Sequence, residues 1–429
     1  MIIINFKPIK VRRIDVPFIA WIVIGSTFIA AVIQFPILGR NISGWAWVLP
    51  LIISIFIIVK KPSRITFPIL AWSPWICIIV FYFVAPGFSY LQRSVMLVSP
   101  IIVGMAVSAG GIREPQLRDF LTLTKLLLFS LFLTVIIKTG FMFTGILPRS
   151  SGLSAQSMTA ALLCSIFAVE YSMNRKKSLL HWIIGAAIPF IALTRMAITA
   201  AGITIPFTFG SLKIKKRLIF LTIIAALGLI LFHTERLQKK MFYSGAGTLQ
   251  DVRLSNPDFF TTGRSRLWDL MIEEIKVKPV WGHGANASED FVLSVTWGTL
   301  THPHNDWLRL LYDYGFIGTS VFAFCLVAQV IHLLKRAKKT FGVSRILLYA
   351  GASSFLPFVL LMFTDNIILY AAFFGNLQFT VIGLVYAAEN TQQIDAWNYF
   401  RMVSRVGNEN ITAVADINYT KDGIRKKVN

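Results

Sequence analysis

The chain has 429 residues, of which 55% are hydrophobic and 14% charged, with a mean hydropathy of +0.66. Soluble domains carry about 25% charged residues, so this composition excludes an ordinary soluble fold and places the chain in a bilayer. The formal charge of +22 does not point to nucleic acid, because the basic residues fall in short clusters between apolar runs. The clusters are Lys7, Lys10, Arg12 and Arg13; Lys60, Lys61 and Arg64; Arg175, Lys176 and Lys177; Lys213, Lys215, Lys216 and Arg217; Lys335, Arg336, Lys338 and Lys339. That spacing is the positive-inside pattern of membrane topology.

The basic N-terminus leads into an apolar run at 16–38. No small-residue cleavage site follows it, which predicts an uncleaved first helix rather than a signal peptide. Further apolar runs lie at 43–59, 67–86, 94–109, 119–137, 156–173, 179–194, 196–210, 217–232, 315–334, 345–363 and 366–386. At roughly 20 residues per span, they predict an all-α, polytopic membrane protein with about 12 transmembrane helices. With the N-terminus inside, every basic cluster falls on the cytoplasmic face, and the even count returns the C-terminus there. Cys77, Cys164 and Cys325 all sit within apolar runs, where cysteine acts as a small buried hydrophobe. Neither a disulfide nor a metal site is expected of them.

Four regions follow. Residues 1–232 hold the first nine spans, 233–306 form a long extracytoplasmic loop, 307–387 hold the last three spans, and 388–429 form a polar cytoplasmic tail. The loop begins irregularly through Ser244-Gly245-Ala246-Gly247 and Asn256-Pro257-Asp258. From Arg264 to Lys278, Leu267, Leu270, Met271 and Ile275 repeat at helical spacing, which predicts an amphipathic helix ended by Pro279 and the turn Gly282-His283-Gly284. A second helical segment starts after Asp306, read as its N-cap. In the tail, Ile394, Trp397, Phe400 and Val403 with Arg401 and Arg405 suit a helix lying on anionic lipid, and a loosely ordered tail suits them equally.

Five arginines fall on the outer side against the charge bias: Arg93, Arg149, Arg195, Arg264 and Arg266. Arg195 lies where two short runs meet at Thr194-Arg195-Met196, and a charge at a helix end near the membrane needs a partner or a polar cavity. Arg264 and Arg266 sit in the first turn of the loop helix, where cations oppose the helix dipole. An anion bound there would reverse the sign, because free backbone amides and guanidinium forks bind phosphate together. Pairing with Asp258, Asp269, Glu273 or Glu274 is the structural alternative. His304, just outside a span and flanked by His302 and Asn305, is placed to take a proton from a hydroxyl nucleophile, and Asn305 to orient the ring or bind a sugar hydroxyl. A zinc site from His283, His302 and His304 lacks a cysteine or a tight HExxH-type pattern. Gly315 and Gly318 suit close helix packing at the membrane entry. Trp268, Trp297 and Trp307 lie near the site and are packing residues by default, with sugar stacking as the other role.

Taken together these residues resemble the O-antigen ligase/polymerase superfamily over most of the chain. The pattern of His-Asn, a spacer and Gly-x-x-Gly is met by His304, Asn305, Gly315 and Gly318. Thr262-Gly263-Arg264-Ser265-Arg266-Leu267-Trp268 followed by Gly282-His283-Gly284 is similar to the family's Ser-Gly-Arg and Gly-x-Gly region, with Thr262 in place of serine. Thr194-Arg195 resembles its Ser-Arg at an outer helix end.

The resemblance implies a GT-C-like, metal-independent glycosyltransferase of the bacterial inner membrane that needs no cofactor. It would move a glycan from an undecaprenyl diphosphate carrier to a hydroxyl acceptor on the periplasmic side. By position, Arg195 and Arg264 would hold the diphosphate and His304 would be the base or acceptor-positioning residue. His302 and Asn305 would contact substrate, and Arg266, Arg149 and Arg93 would assist on grounds of charge and side alone. The acceptor is another lipid-linked repeat unit in a polymerase, slightly favoured by the look of His302-Pro303-His304-Asn305 and Arg149-Ser150-Ser151-Gly152. In a ligase it is a lipid A–core sugar. A chain-length regulator would be a natural partner of a polymerase. A lipid-linked oligosaccharide transporter would line a polar cavity with the same arginines, but concentration of polar residues in one outer loop disfavours it. A structural scaffold would leave the outer arginines unexplained.

Overall fold

A computed structural model describes residues 14–33, 36–37, 40–41, 44–82, 88–145, 152–235, 238, 242, 244–252, 256 and 264–406. Arg149, Asp258, Thr262, Gly263 and the last part of the tail lie outside the described residues, as do the side chains from 393 onward. Every apolar run meets helical backbone. The helices before the loop are α1 (Phe18–Val32), α2 (Val48–Lys60), α3 (Ile69–Phe81), α4 (Phe88–Ser108), α5 (Glu114–Phe143), α6 (Ser154–Ser172), α7 (Ser178–Ile191), α8 (Arg195–Gly202), α9 (Thr204–Phe207) and α10 (Ile214–Phe232). The loop adds α11 (Ser265–Val277) and α12 (Ala287–Val295). It is followed by α13 (Asp306–Ala337), α14 (Gly342–Met362) and α15 (Asn376–Val406). Pro36–Ile37 and Arg40–Asn41 pair as a minimal antiparallel ladder.

Among the described residues, five stretches are long and apolar enough to cross a membrane: Tyr90–Ser108, Glu114–Met142, Asp306–Ala337, Gly342–Met362 and Ala371–Gln392. Four more apolar helices, α1, α2, α3 and α7, have 13 to 15 residues. At 1.5 Å per residue those reach about 20 Å, short of the roughly 30 Å hydrocarbon layer. Apolar run length therefore overstated helix length, because several runs include turns and irregular ends.

The centre of the bundle is built from α6, buried along almost its whole length, and the stretch from Ile367 through Ala388, all of it buried except Tyr370. Before α15 the chain makes a 3-10 turn at Ile367–Leu369 and a π-turn at Ala371–Gly375. Non-α backbone at this depth needs partners for its freed carbonyls. Thr27 of α1 donates to the Ala372 carbonyl at 3.1 Å and Thr159 of α6 to that of Phe373 at 2.8 Å. These hydroxyls fix the segment carrying Asp365 to Tyr370 against the bundle.

The outer layer is attached by a backbone exchange. Helix α13 breaks at Gly315, which has φ 63 and ψ −167. Across the break, His283 and Gly284 donate to the carbonyls of Tyr312 and Asp313 at 2.8 and 2.9 Å. In return, Phe316 and Ile317 donate to those of Pro279 and Val280 at 2.8 and 3.2 Å. A Cβ at Gly315 would lie 2.3 Å from the Val280 oxygen, and one at Gly282 would lie 2.5 Å from the Gly315 nitrogen. Gly315 is therefore needed for contact with loop backbone, which corrects the expectation of helix packing there. At Gly318 a Cβ would meet Tyr314 across the bend at 2.3 Å and Ile78 of α3 at 3.5 Å.

Around this exchange, Leu267, Trp268, Met271, Val292, Leu308 and Tyr312 form a small separate core. Buried Arg309 bridges Asp313 and Asn286, and the Asp313 carboxylate caps the Ser288 amide at 2.7 Å. Gly315→Ala is expected to lower stability by more than about 2 kcal/mol, since it combines left-handed strain with a backbone collision. The check is the thermal midpoint of the detergent-solubilised protein. Gly25→Ala, at a position open to within 4 Å, should leave it unchanged or slightly raised.

Candidate functional site

The site is assembled from four segments far apart in sequence. Arg195 comes from a tight reversal in which Leu193 takes a left-handed φ of 53 and the Thr194 amide returns to the Pro189 carbonyl at 2.9 Å. The Thr194 hydroxyl lies 3.1 Å from that of Ser157 on the buried helix α6. Helix α8 thus begins with Arg195 at a set depth. Arg264 immediately precedes α11, which is pinned by the Trp268 indole donating to the Pro303 carbonyl at 2.8 Å. The same bond holds the turn that carries His304.

His304 has φ 53, an uncommon conformation for a residue with a Cβ. Its neighbour Asn305 is the N-cap of α13, accepting from the Leu308 amide at 3.0 Å. This corrects the expectation that Asp306 caps the helix. Asp306 is wholly buried and accepts from the Ile368 amide at 2.9 Å, tying α13 to the segment before α15. Since the Asn305 oxygen is engaged in capping, its work is to set the direction of the chain after His304.

Against His304 stands Asp365, just beyond α14. The His304 Nδ1 lies 3.5 Å from Asp365 Oδ1 and 3.2 Å from the Asn366 amide. The carboxylate asks for a proton on Nδ1, whereas an amide NH2 would ask for a lone pair. The buried Asn366 Oδ1 has no partner among the described residues. Exchanging the amide's oxygen and nitrogen turns both neighbours into acceptors, placing the proton on Nδ1 and leaving Nε2 as the basic atom. Asp365 also accepts from the Tyr370 hydroxyl at 2.8 Å and from the Asn366 backbone at 2.8 Å. Burial alone would raise the Asp365 carboxyl, but the hydrogen bonds from His304, the Asn366 amide and Tyr370 hold it below the usual carboxylate range. Burial, and after it Asp365, pushes the Tyr370 hydroxyl well up, so it remains a donor.

Arg264 is close enough to Asp365 for its charge to act on it, and Arg195 close enough to feel Arg264. Burial lowers the affinity of both guanidinium groups for their protons, and in Arg195 the Arg264 charge adds to it. Both remain cations at any physiological pH. Asp365 acts on Arg264 in the opposite sense to burial, and guanidinium groups within each other's field are suited to sharing an anion.

The remaining candidates are placed otherwise. Arg93 is held by Glu289, with Nε at 3.1 Å and Nη2 at 3.4 Å, and its Nη2 reaches His302 Nε2 at 3.4 Å. An arginine only donates, so His302 carries its proton on Nδ1. Burial, then the Arg309 and Arg93 cations, pushes the His302 imidazole down to about 3. A cavity of about 180 Å³ opens between Arg93, His302 and Tyr370, walled by Trp47, Met96 and Phe373. Arg266 is exposed on α11. His283 stacks on Tyr312 at 4.4 Å and meets the Glu274 carbonyl at 2.9 Å, so it belongs to the backbone exchange.

Sequence reasoning missed Asp365, Asn366 and Tyr370. One signal was present: Asp365 is the single acidic residue between Asp313 and Glu389.

Because the folded state holds His302 neutral while the unfolded chain takes up a proton near pH 6.5, its stabilising contribution is full above that pH. It is lost as pH falls toward 3. Nitrogen-15 spectra of histidine-labelled protein should show His302 neutral at pH 5, and Arg93→Ala should move its titration upward. A protonated His302 at pH 5 in the unaltered chain would contradict this.

No curated protein matches the chain. Residues 179–323 match the family model described as O-Antigen ligase, a stretch that contains Arg195, Arg264, His302 and His304 but not Arg93 or Asp365. That match, over residues 179–323 alone, supports a likeness to the O-antigen ligase/polymerase superfamily.

Proposed function

We propose that the chain is a membrane glycosyltransferase that moves a glycan from undecaprenyl diphosphate to a hydroxyl acceptor, and that the product is a surface polysaccharide extended by polymerisation. One observation supports this above the rest: Arg195, Arg264, Asp365 and His304 converge from separate segments into one electrostatically connected group. In the reaction, the acceptor oxygen bonds to the anomeric carbon as the bond from that carbon to the phosphate oxygen breaks. His304 Nε2 takes the acceptor proton. The departing electron pair stays on the diphosphate, whose growing charge is met by the Arg195 and Arg264 guanidinium groups in place of a metal ion. Fixed cations aimed at developing charge are an effective source of rate enhancement. Asp365 orients the imidazole and stabilises its cationic form, as carboxylates do for catalytic histidines generally.

The same proposal counts the shorter apolar helices as spans, giving about twelve in a GT-C-like bundle with both termini cytoplasmic and the site periplasmic. The ligase reading, with a lipid A–core sugar as acceptor, draws its support from the description of the matching family.

His304→Ala, Arg195→Ala and Arg264→Ala at matched expression are each expected to reduce transfer by about 10²-fold or more. Asp365→Asn, which keeps shape but loses charge, should also reduce it. The measurement is long-chain polysaccharide by gel. Normal chain length and yield from the three alanine variants would remove the enzyme and leave a transporter of lipid-linked oligosaccharide. Deletion of the gene separates the two acceptors: core bearing a single repeat unit means a polymerase was lost, and bare core with accumulating lipid-linked polymer means a ligase was lost.

A further inference from the structure

Of the three tryptophans near the site, Trp268 is buried in the outer core and Trp307 packs beside Phe322 and Phe363. Trp297 is 93% exposed. It also has φ 52, and its place in the chain explains why. Helix α12 ends at Thr296, and the Gly298 amide bonds back to the Leu293 carbonyl at 2.9 Å. This is the closure in which the residue after the cap takes left-handed backbone, a position glycine normally fills. Here the glycine is one residue late and a tryptophan occupies the strained site. The turn is rigid: the Thr296 hydroxyl donates to the Val292 carbonyl at 2.6 Å and accepts from the Leu300 amide at 3.2 Å. The Thr299 hydroxyl donates to the Thr296 carbonyl at 2.7 Å. A strained backbone that presents a large aromatic to solvent is the kind of outlier from which function is inferred.

We propose that Trp297 is a stacking platform for a sugar ring of the glycan substrate, which rests on the transferase reading above. The surroundings suit a neutral polyol. Residues 291–305 contain no Asp, Glu, Lys or Arg, and Ser294, Gly298, Thr299 and Thr301, close to Trp297 in sequence, are exposed. Rigid aromatics set among Ser, Thr and Gly bind polar surfaces at low entropic cost. A membrane anchor would look different. Interfacial segments carry a contiguous apolar face with Lys or Arg beside it, whereas Trp297 is the single exposed large hydrophobic between Trp281 and Phe316. Exposed aromatics that do cluster lie elsewhere, where Trp281 meets Phe81 at the end of α3. Trp297 is seven residues from His304, hence within about 24 Å of it, so a short run of sugars reaches from one to the other.

The test uses the full chain in neutral nanodiscs, labelled with 5-fluorotryptophan, with the Trp297 signal assigned by its loss in Trp297→Tyr. The probe is the oligosaccharide repeat released by mild acid from the producing cell's own polysaccharide. The Trp297 resonance is expected to shift on titration. Trp297→Ala should weaken oligosaccharide binding about two- to tenfold, the worth of an aromatic contact, and Trp297→Tyr should retain most of it. Trp297→Gly should lose binding while raising the thermal midpoint, because it relieves the backbone strain, so lost affinity there is not lost folding. A resonance unmoved by oligosaccharide, or moved only when anionic lipid replaces neutral lipid, overturns the proposal. The two readings fail separately: normal polysaccharide from His304→Ala, Arg195→Ala and Arg264→Ala together sinks the transferase reading whatever Trp297 does, whereas an unmoved Trp297 resonance sinks the platform alone.

Discussion

The exchange of backbone hydrogen bonds between the break at Gly315 and residues 279–284 is the constraint on which the outer half of the molecule depends. A helix interrupted near a bilayer exposes amides and carbonyls that must be satisfied within the protein. Here the unpaired groups on both sides of the break are taken up by one short loop. That loop follows α11 and precedes α12, so a single junction sets both loop helices relative to α13. From it follow the position of Arg264 at the start of α11, the anchoring of the His304 turn through Trp268, and the direction of α12 toward Trp297. Two glycines at the crossing make the approach possible, since a Cβ at either would collide with backbone.

Charge is handled in two different ways on this face. Arg93 is neutralised by Glu289 and hydrogen-bonded to His302, and Arg309 is shared between Asp313 and Asn286. These pairs hold helices together and keep His302 neutral. Arg195 and Arg264, by contrast, face each other's field. Glu289 and Asp313 thus serve as carboxylate partners of Arg93 and Arg309, while Asp365 acts on Arg264. The carboxylate that acts on Arg264, Asp365, is already committed to His304, Asn366 and Tyr370.

Positioning of the His304 imidazole uses the same economy. The turn at His304 is left-handed, capped on its C-terminal side by Asn305 and tied on its N-terminal side through Pro303. Asp306, two residues on, reaches across to the Ile368 amide, so the stretch bearing Asp365 and the one bearing His304 are tied together beside their contact. The irregular backbone from Ile367 to Gly375 survives at depth because Thr27 and Thr159 supply donors to it.

Much was legible from residue order alone. Apolar run length and the clustering of Lys and Arg determined an all-helical membrane protein with one long polar loop. The scarcity of charge elsewhere made Arg195, Arg264 and His304 conspicuous. What order could not tell was which arginine would meet a carboxylate, since Glu289 finds Arg93 across 196 residues. It likewise could not show that Asp365 would meet His304 across 61. Periodicity reports which face of a helix is apolar, a local property; partner choice depends on how distant helices pack, and only the folded bundle decides it. The roles of Gly315 and Trp297 were hidden for the same reason, because a glycine's need and a tryptophan's exposure are set by what tertiary packing brings, or fails to bring, against them.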